Sequence, residues 1–310
     1  MTVGQPVTWV VGSGGLLGSA ITRQLGSTFS DGSIPWNDPT QAAAHLTHQV
    51  GRFAKHTQGR PWSVIWAAGS ATTATAATIA FRELTSLRGL LVGIRDHAPP
   101  GPGAFFLTSS AGGVYAGSTG PPFTRDSVPR PLSAYGELKI AQEDLVREIL
   151  KGVVPVTIGR VSNIYGPGQN LAKLQGLISQ LLLASVTRQP INIFVPLDTI
   201  RDYIYVDDAA QVLVDLSRRM TLDQTPRCDV HIIASGRATT VGQVLQTTHD
   251  VTKQRAPVAF GQHPSATAQS PDLRMEPSHL PRTSTPLAAG IKSVHLDILD
   301  RIQSSRVQRT

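Results

Sequence analysis

Val7-Thr8-Trp9-Val10-Val11-Gly12-Ser13-Gly14-Gly15-Leu16-Leu17-Gly18 is a short apolar run followed by glycines at 12, 15 and 18. Val7 to Val11 has the character of a buried strand and Leu16 to Leu25 that of a helix, so the glycines stand in a strand–turn–helix. Glycine permits the tight turn and lets backbone approach a diphosphate. The helix N-terminus adds unpaired N–H groups and the positive end of its dipole. Gly12, Gly15, Leu16, Leu17 and Gly18 are therefore candidate dinucleotide contacts. The alternative is a glycine turn that only shapes a connection.

Outward from this stretch, strand and helix patterns alternate. Trp62 to Ala68, Ala104 to Thr108 and Val156 to Val161 read as strands, and Leu84 to His97 and Ser133 to Lys151 as helices. Such spacing implies right-handed crossovers and a parallel sheet with helices on both faces, a doubly wound α/β (Rossmann) fold. After Tyr165 the rhythm loosens. Helices are expected at Leu171 to Ser185, Asp207 to Met220, Thr240 to Asp250 and Leu287 to Ile302. Short strands are expected at Ile191 to Phe194, Asp202 to Tyr205 and Asp229 to Ala234, and Pro257 to Pro286 reads as irregular. This suggests a dinucleotide-binding domain over 1–165, with a return segment near 200–220, and a smaller C-terminal α/β substrate-binding domain over 166–310. The Ala- and Thr-rich run Ala71 to Ala80 reads as a helix of small residues close to the sheet.

The composition narrows the class. A 40% hydrophobic and 16% charged chain of 310 residues buries a sizeable core rather than remaining disordered. Lys and Arg outnumber Asp and Glu by 28 to 21, a balance that suits a phosphorylated small ligand. The basic residues are scattered and aromatics are only 5%, which argues against nucleic acid. No run of apolar residues is long enough to span a bilayer, and Met1 to Pro6 has no secretory character, so a cytoplasmic protein without membrane attachment is expected. The single cysteine, Cys228, reads as a small buried side chain. His45 and His48 have no Cys, Asp or Glu beside them to complete a metal site, so no metal is expected.

Two further runs carry chemistry. In Tyr135-Gly136-Glu137-Leu138-Lys139 a spacing of four puts Tyr135 and Lys139 on one helix face, where an ammonium stabilises a phenolate. Tyr135 is then a candidate general acid/base; a surface Tyr–Lys pair is the plain alternative. Thr108-Ser109-Ser110-Ala111-Gly112-Gly113-Val114-Tyr115 ends a strand in hydroxyls, at the edge where open α/β sheets bind ligands. A hydroxyl there suits a reacting substrate oxygen, unless the run is an ordinary Ser–Gly turn.

Together with Trp66-Ala67-Ala68-Gly69, Arg160-Val161-Ser162-Asn163-Ile164-Tyr165-Gly166-Pro167-Gly168-Gln169 and Arg201-Asp202-Tyr203-Ile204-Tyr205-Val206-Asp207-Asp208-Ala209-Ala210, these motifs make nearly the whole chain resemble the NAD-dependent epimerase/dehydratase family of extended short-chain dehydrogenases/reductases. The resemblance implies a tightly held NAD, with NADP the alternative, and a nucleotide-sugar substrate. It assigns catalysis to Tyr135, Lys139 and Ser110, with Ser109 a substitute for Ser110. Cofactor contacts fall on the glycine turn, Ala67, Ala68, Gly69, Thr108, Tyr135 and Lys139. Substrate contacts fall on Ser110, Asn163, Arg201 and Arg274, the arginines being suited to a diphosphate. Asn163 as a turn cap, and Arg201 paired to Asp202 or Asp207, are the structural alternatives. The resemblance also implies a homodimer through a helical interface.

The departures from the family pattern matter equally. The hydroxyl run has one residue more than usual before Val114-Tyr115. Asp38 is the acid nearest the expected ribose-binding place, and a family Asn is replaced near Glu83. The sugar 4,6-dehydratases carry an Asp–Glu pair where this chain has Ala111 and Gly112, which points to 4-epimerisation, or to keto reduction as the runner-up. A catalytically silent dinucleotide-binding sensor is the reading from another class.

Overall fold

The computed structural model describes residues 5–72, 78, 82–173, 176–223, 225–261, 269–281 and 284–307. In chain order its elements are β1 (Val7–Val11), α1 (Leu16–Leu25), α2 (Pro39–Thr57), β2 (Trp62–Trp66), α3 (Arg82–His97), β3 (Gly103–Ser110), α4 (Ala111–Val114), α5 (Ala134–Ile149), β4 (Val156–Val161) and β5 (Asn163–Tyr165). There follow α6 (Leu177–Thr187), β6 (Ile191–Ile193), β7 (Ile200–Tyr205), α7 (Val206–Leu222), β8 (Cys228–Ile233), β9 (Ala238–Thr240), α8 (Val241–Thr252), β10 (Val258–Phe260), β11 (Asp272–Leu273) and α9 (Leu287–Val307).

β1, β2, β3, β4 and β8 form one sheet in that order, and every pair is parallel. Their near-continuous apolar runs leave both faces to be covered, as parallel sheets require. One face carries α2, α3 and α5 over a core that includes Phe53, Trp62, Leu87, Phe105 and Val146. The other carries α1 and α7 over Ile21, Ile65, Phe106 and Leu213. Each such side chain, wholly withdrawn from water, contributes about 1.5–3 kcal/mol before ordering entropy is set against it.

The C-terminal half divides its elements between this sheet and a smaller lobe. α7 and β8 return to the first sheet. β11, β7 and β5 make a second small sheet to which β9 adds, and β6 pairs with β10. α6, α8 and α9 bury Leu181, Val244 and Val294 together with Tyr165. Asp208, in the first turn of α7, accepts from Thr285 N (2.7 Å) and Thr285 Oγ1 (2.8 Å), which clasps the chain ahead of α9.

The architecture expected from the sequence is present, with local differences. The nineteen-residue α2 has no counterpart in the sequence reading. Helix α6 starts at Leu177 rather than Leu171, behind Gly176 in a left-handed backbone (φ 87°). Cys228 is exposed rather than buried, because it opens β8 at the outer edge of the sheet. The stretch Pro257 to Pro286 contributes β10 and β11. Most of the Ala71 to Ala80 run lies outside the described residues. Among the described residues no helix is long and apolar enough to cross a membrane.

Candidate active site

The glycine turn is shaped by close approach. A Cβ on Gly12, whose φ is 93°, would stand 2.5 Å from Ala68 N, so the loop after β2 is pressed against the turn. Gly15 caps α1 with no side-chain bond, and the first turn holds no acid. The amides of the first turn and the positive helix end therefore face outward unneutralised, which is the donor set a diphosphate needs.

At the C-terminal end of β3 the two serines separate in role. Ser109 is buried, and its Oγ donates to Glu143 Oε1 (2.7 Å). Glu143 is also held by Arg160 Nη2 at 2.7 Å and Nε at 3.0 Å and by Arg147 Nη2 at 3.1 Å. Burial works to raise its pKa, but the two arginines and Ser109 outweigh that and hold the carboxyl below its usual range. Ser110 instead caps α4, accepting from Gly113 N (3.2 Å), so its own O–H is left to donate. Thr108 is committed to structure, its Oγ1 donating to Trp66 O (2.8 Å) between β3 and β2.

Ser133 is the N-cap of α5, its Oγ accepting from Gly136 N (3.3 Å). It abuts α4 so closely that a Cβ on Gly136 would stand 2.3 Å from Gly113 O. This contact lays the Tyr135 ring against Gly113, one turn from Ser110; a Cβ on Gly113 would lie 3.0 Å from Tyr135 Cε1. Lys139 Nζ stands 5.6 Å from the Tyr135 ring centroid. Ser110, Tyr135 and Lys139 are thus brought to one strand end.

Lys139 is itself positioned. Its Nζ donates to Gln142 Oε1 (3.0 Å), and Gln142 Nε2 reaches Glu83 Oε2 (3.5 Å). The other Glu83 oxygen accepts from Ser70 N (2.6 Å) and Ala71 N (2.8 Å). Glu83 therefore ties the loop after β2 to the lysine, and a Cβ on Gly69 would meet both, at 3.3 Å from Glu83 Oε2 and 3.8 Å from Lys139 Nζ. The sequence flags Glu83 only as a departure; Gln142, deep in α5, gives no sequence signal.

Asn163 opens β5 beside this strand end, its Oδ1 at 3.6 Å from where a Cβ on Gly112 would be. Arg201 on β7 is buried and pairs with neither of its sequence neighbours. Asp202 accepts from Ser162 Oγ (2.6 Å) and Ser235 N (2.9 Å), while Asp207 pairs with Arg23 (2.7 Å). Among the described residues Arg201 donates to Ile200 O (2.8 Å), Ser270 O (2.8 Å) and Gln269 Oε1 (3.3 Å). Burial pushes its pKa down, and among the described residues no carboxylate forms an ion pair with it. A buried guanidinium whose described hydrogen-bond partners are neutral oxygens, with Asp272 acting on it only from a distance, suits an anionic ligand. Arg274 follows Leu273, the register partner of Arg201. It is already paired with Asp272 (Nη2 to Oδ2 2.8 Å, Nε to Oδ2 2.9 Å), which weakens its claim on a diphosphate.

The acid expected at Asp38 is placed elsewhere. Asp38 is the N-cap of α2, accepting from Thr40 N (2.9 Å) and Gln41 N (3.1 Å), which hold its carboxyl below the usual range. A cavity of about 230 Å³ adjoins the glycine turn, and its lining includes Gly12, Gly14, Asp31, Trp36 and Gln49 but not Asp38. Asp31 follows Phe29, which bridges in parallel to Trp9 of β1. It shares the cavity lining with the glycine turn, and Arg52 pairs with it at 2.7 Å. The cavity, the uncapped helix and the Gly12 cradle fit a dinucleotide.

Comparison with known proteins agrees with this geometry. The family model described as "NAD dependent epimerase/dehydratase family" matches residues 8–227. The chain belongs to that family. Among its relatives, a dTDP-4-dehydro-6-deoxyglucose reductase of Escherichia coli is 30% identical over 155 residues, 50% of this chain and 48% of that protein. A dTDP-L-rhamnose 4-epimerase of Burkholderia thailandensis is 33% identical over 116 residues, 36% of this chain and 31% of that protein. The matched stretches thus span half or less of those relatives. Among solved structures, MoeE5 in complex with UDP-glucose and NAD superposes with a TM-score of 0.79 at 19% identity, covering 96% of this chain and 99% of that one. That likeness establishes the shared fold.

Proposed function

We propose that this member of the epimerase/dehydratase family is an NAD-dependent nucleotide-sugar 4-epimerase. The observation that carries the reading is the convergence of Ser110, Tyr135 and Lys139 on one strand end, next to a loop that Gly69 and Ala68 share with the glycine turn. Bound there, NAD supplies a hydride acceptor that later returns the hydride. Gly12, Gly15, Leu16, Leu17 and Gly18 would hold its diphosphate, and Lys139 its nicotinamide-side ribose.

The chain's own groups do the rest. Tyr135 takes the proton of the sugar C4 hydroxyl as C4 is oxidised and gives it back when the ketone is reduced. Ser110 donates its free O–H to the same oxygen. Arg201 holds the nucleotide diphosphate and Asn163 the sugar, with Arg274 a weaker second contact. The 4-keto sugar turns over in the site and is reduced on its other face. Ala111 and Gly112 provide no acid–base pair for 4,6-elimination. In this reading residues 1–165 with the returning α7 and β8 form the dinucleotide-binding unit, the rest of 166–310 holds the sugar, and a homodimer works in the cytoplasm.

The reductase relative favours a second reading, a keto reductase that consumes NAD(P)H stoichiometrically. One experiment separates them. The purified protein is denatured, released dinucleotide is identified, and native protein is incubated with UDP-, GDP- and dTDP-sugars without added cofactor. Interconversion of C4 epimers with retained NAD supports the epimerase. Turnover only with added NAD(P)H supports the reductase, and binding without any turnover would leave a silent sensor.

A further inference from the structure

The path of a dinucleotide through this site can be traced residue by residue. Lys139 stands over Gly69, Gly69 continues from Ala68, and Ala68 presses on Gly12. The reacting ring belongs at the Lys139 end and the diphosphate at the glycine turn, so the remaining nucleoside falls on the far side of Gly12, in the 230 Å³ cavity. The outer wall there is unusual. After the single Phe29 bridge no further strand among the described residues extends the sheet beyond β1; the chain crosses 30–38 as a loop and enters α2.

Two side chains of that wall are unexplained by the fold. Trp36 is 46% exposed, whereas Trp9, Trp62 and Trp66 are 3%, 1% and 1% exposed. Its indole sits edge-on to Trp66 with centroids 6.1 Å apart. The loop is fixed by Trp36 N to Ile34 O (2.9 Å), Asp38 N to Pro35 O (3.1 Å) and Arg82 Nη2 to Asn37 O (3.0 Å), so the ring is a preorganised platform. Gln49 lines the same cavity at 2% exposure. Its amide nitrogen donates to Asp31 O, while its Oε1 is buried with no hydrogen-bond partner. A buried acceptor without a donor is costly and invites one from a ligand.

We propose that Trp36 and Gln49 form the adenine subsite of this chain, Trp36 stacking on a 6-aminopurine and Gln49 Oε1 accepting from its exocyclic amine. The proposal rests on the reading of this site as a dinucleotide site. An exposed indole and a free carbonyl oxygen match a flat ring that carries an N–H donor at its edge. Loss of a base–aromatic stack weakens binding roughly tenfold or more.

The test uses the whole chain freed of retained dinucleotide. Iodide quenching reads the exposed tryptophan while ADP-ribose or nicotinamide mononucleotide is added. The expected result is protection by ADP-ribose and none by nicotinamide mononucleotide. Trp36→Ala, at an exposed position, is expected to weaken ADP-ribose roughly tenfold or more while Trp36→Phe stays within about threefold of the native chain. ADP is expected to bind more tightly than IDP, which carries a carbonyl in place of the amine, and Gln49→Met to erase that preference. ADP-ribose binding unchanged in Trp36→Ala, or equal protection by nicotinamide mononucleotide, would overturn the subsite while leaving the dinucleotide site intact. Failure of NAD and ADP-ribose alike to bind would overturn both.

Discussion

Arg160→Met removes the inner half of the buried network that joins β3, α5 and β4. Arg160 holds both oxygens of Glu143, at 2.7 and 3.0 Å, and its Nη1 donates to Tyr115 Oη. The two charged side chains are 4% and 0% exposed. With the arginine gone, the carboxylate keeps only Ser109 and Arg147, the latter 36% exposed and screened. Breaking such a pair costs about 3–5 kcal/mol, and the surviving partners place this case near the lower end. For 310 residues, at ~2.1 cal/mol/K per residue, about 3 kcal/mol lowers the melting midpoint by roughly 5 °C. Urea titration and calorimetry measure the loss. Replacing both partners, as in Glu143→Leu with Arg160→Met, is expected to recover part of it, since no charge is then stranded. A midpoint within about 1 °C of the native value, or a double variant less stable than either single one, would show that Arg160 does not compensate the buried Glu143 charge.

Gly136→Ala drives a methyl toward Gly113 O and is expected to destabilise by about 1–3 kcal/mol. Because the clash separates α5 from α4 and moves Tyr135 from Ser110, kcat is expected to fall ten- to a hundredfold. Steady-state kinetics on refolded, intact protein check it. Arg201→Gln is expected to raise KM for the nucleotide sugar by about ten- to a hundredfold with a smaller change in kcat, since charge-assisted contacts are worth about 1.5–3 kcal/mol. His231, whose pKa burial and neighbouring His279 push down to about 4, is neutral in the folded chain. Above pH 6.5 it contributes no pH dependence. As pH falls from 6.5 toward 4 the unfolded chain takes up a proton that the folded chain refuses, so stability drops. The gap between urea midpoints at pH 7 and pH 5 is expected to narrow in His231→Gln, the remainder coming from His279 and His295, whose pKa burial also lowers.

What could be read from the sequence was local. The turn at Gly12 to Gly18 and the Tyr135–Lys139 spacing depend on residues a few positions apart, and both stand where they were expected. Asp38 was legible only as an acid near the right place. That Asp31 lines the cavity beside the glycine turn goes with Phe29 lying beside Trp9, a long-range bridge without a sequence signature. Helix α2 did carry its signals, Asp38-Pro39 at the start and buried Leu46, Val50 and Phe53 along one face. The choice of Ser110 over Ser109 turns on Glu143, thirty-four residues away. β10 and β11, three and two residues long, are too short for any periodicity to register.

In the proposed 4-epimerase a hydride leaves C4 and returns to it within one site built on Tyr135, Ser110 and Lys139. A nucleotide sugar deuterated at C4 is incubated with the protein as purified and no added cofactor. The expected product is a C4 epimer that keeps its deuterium, with no product from Tyr135→Phe. Epimerised product that has lost the label to solvent, or undiminished turnover in Tyr135→Phe, would contradict that proposal.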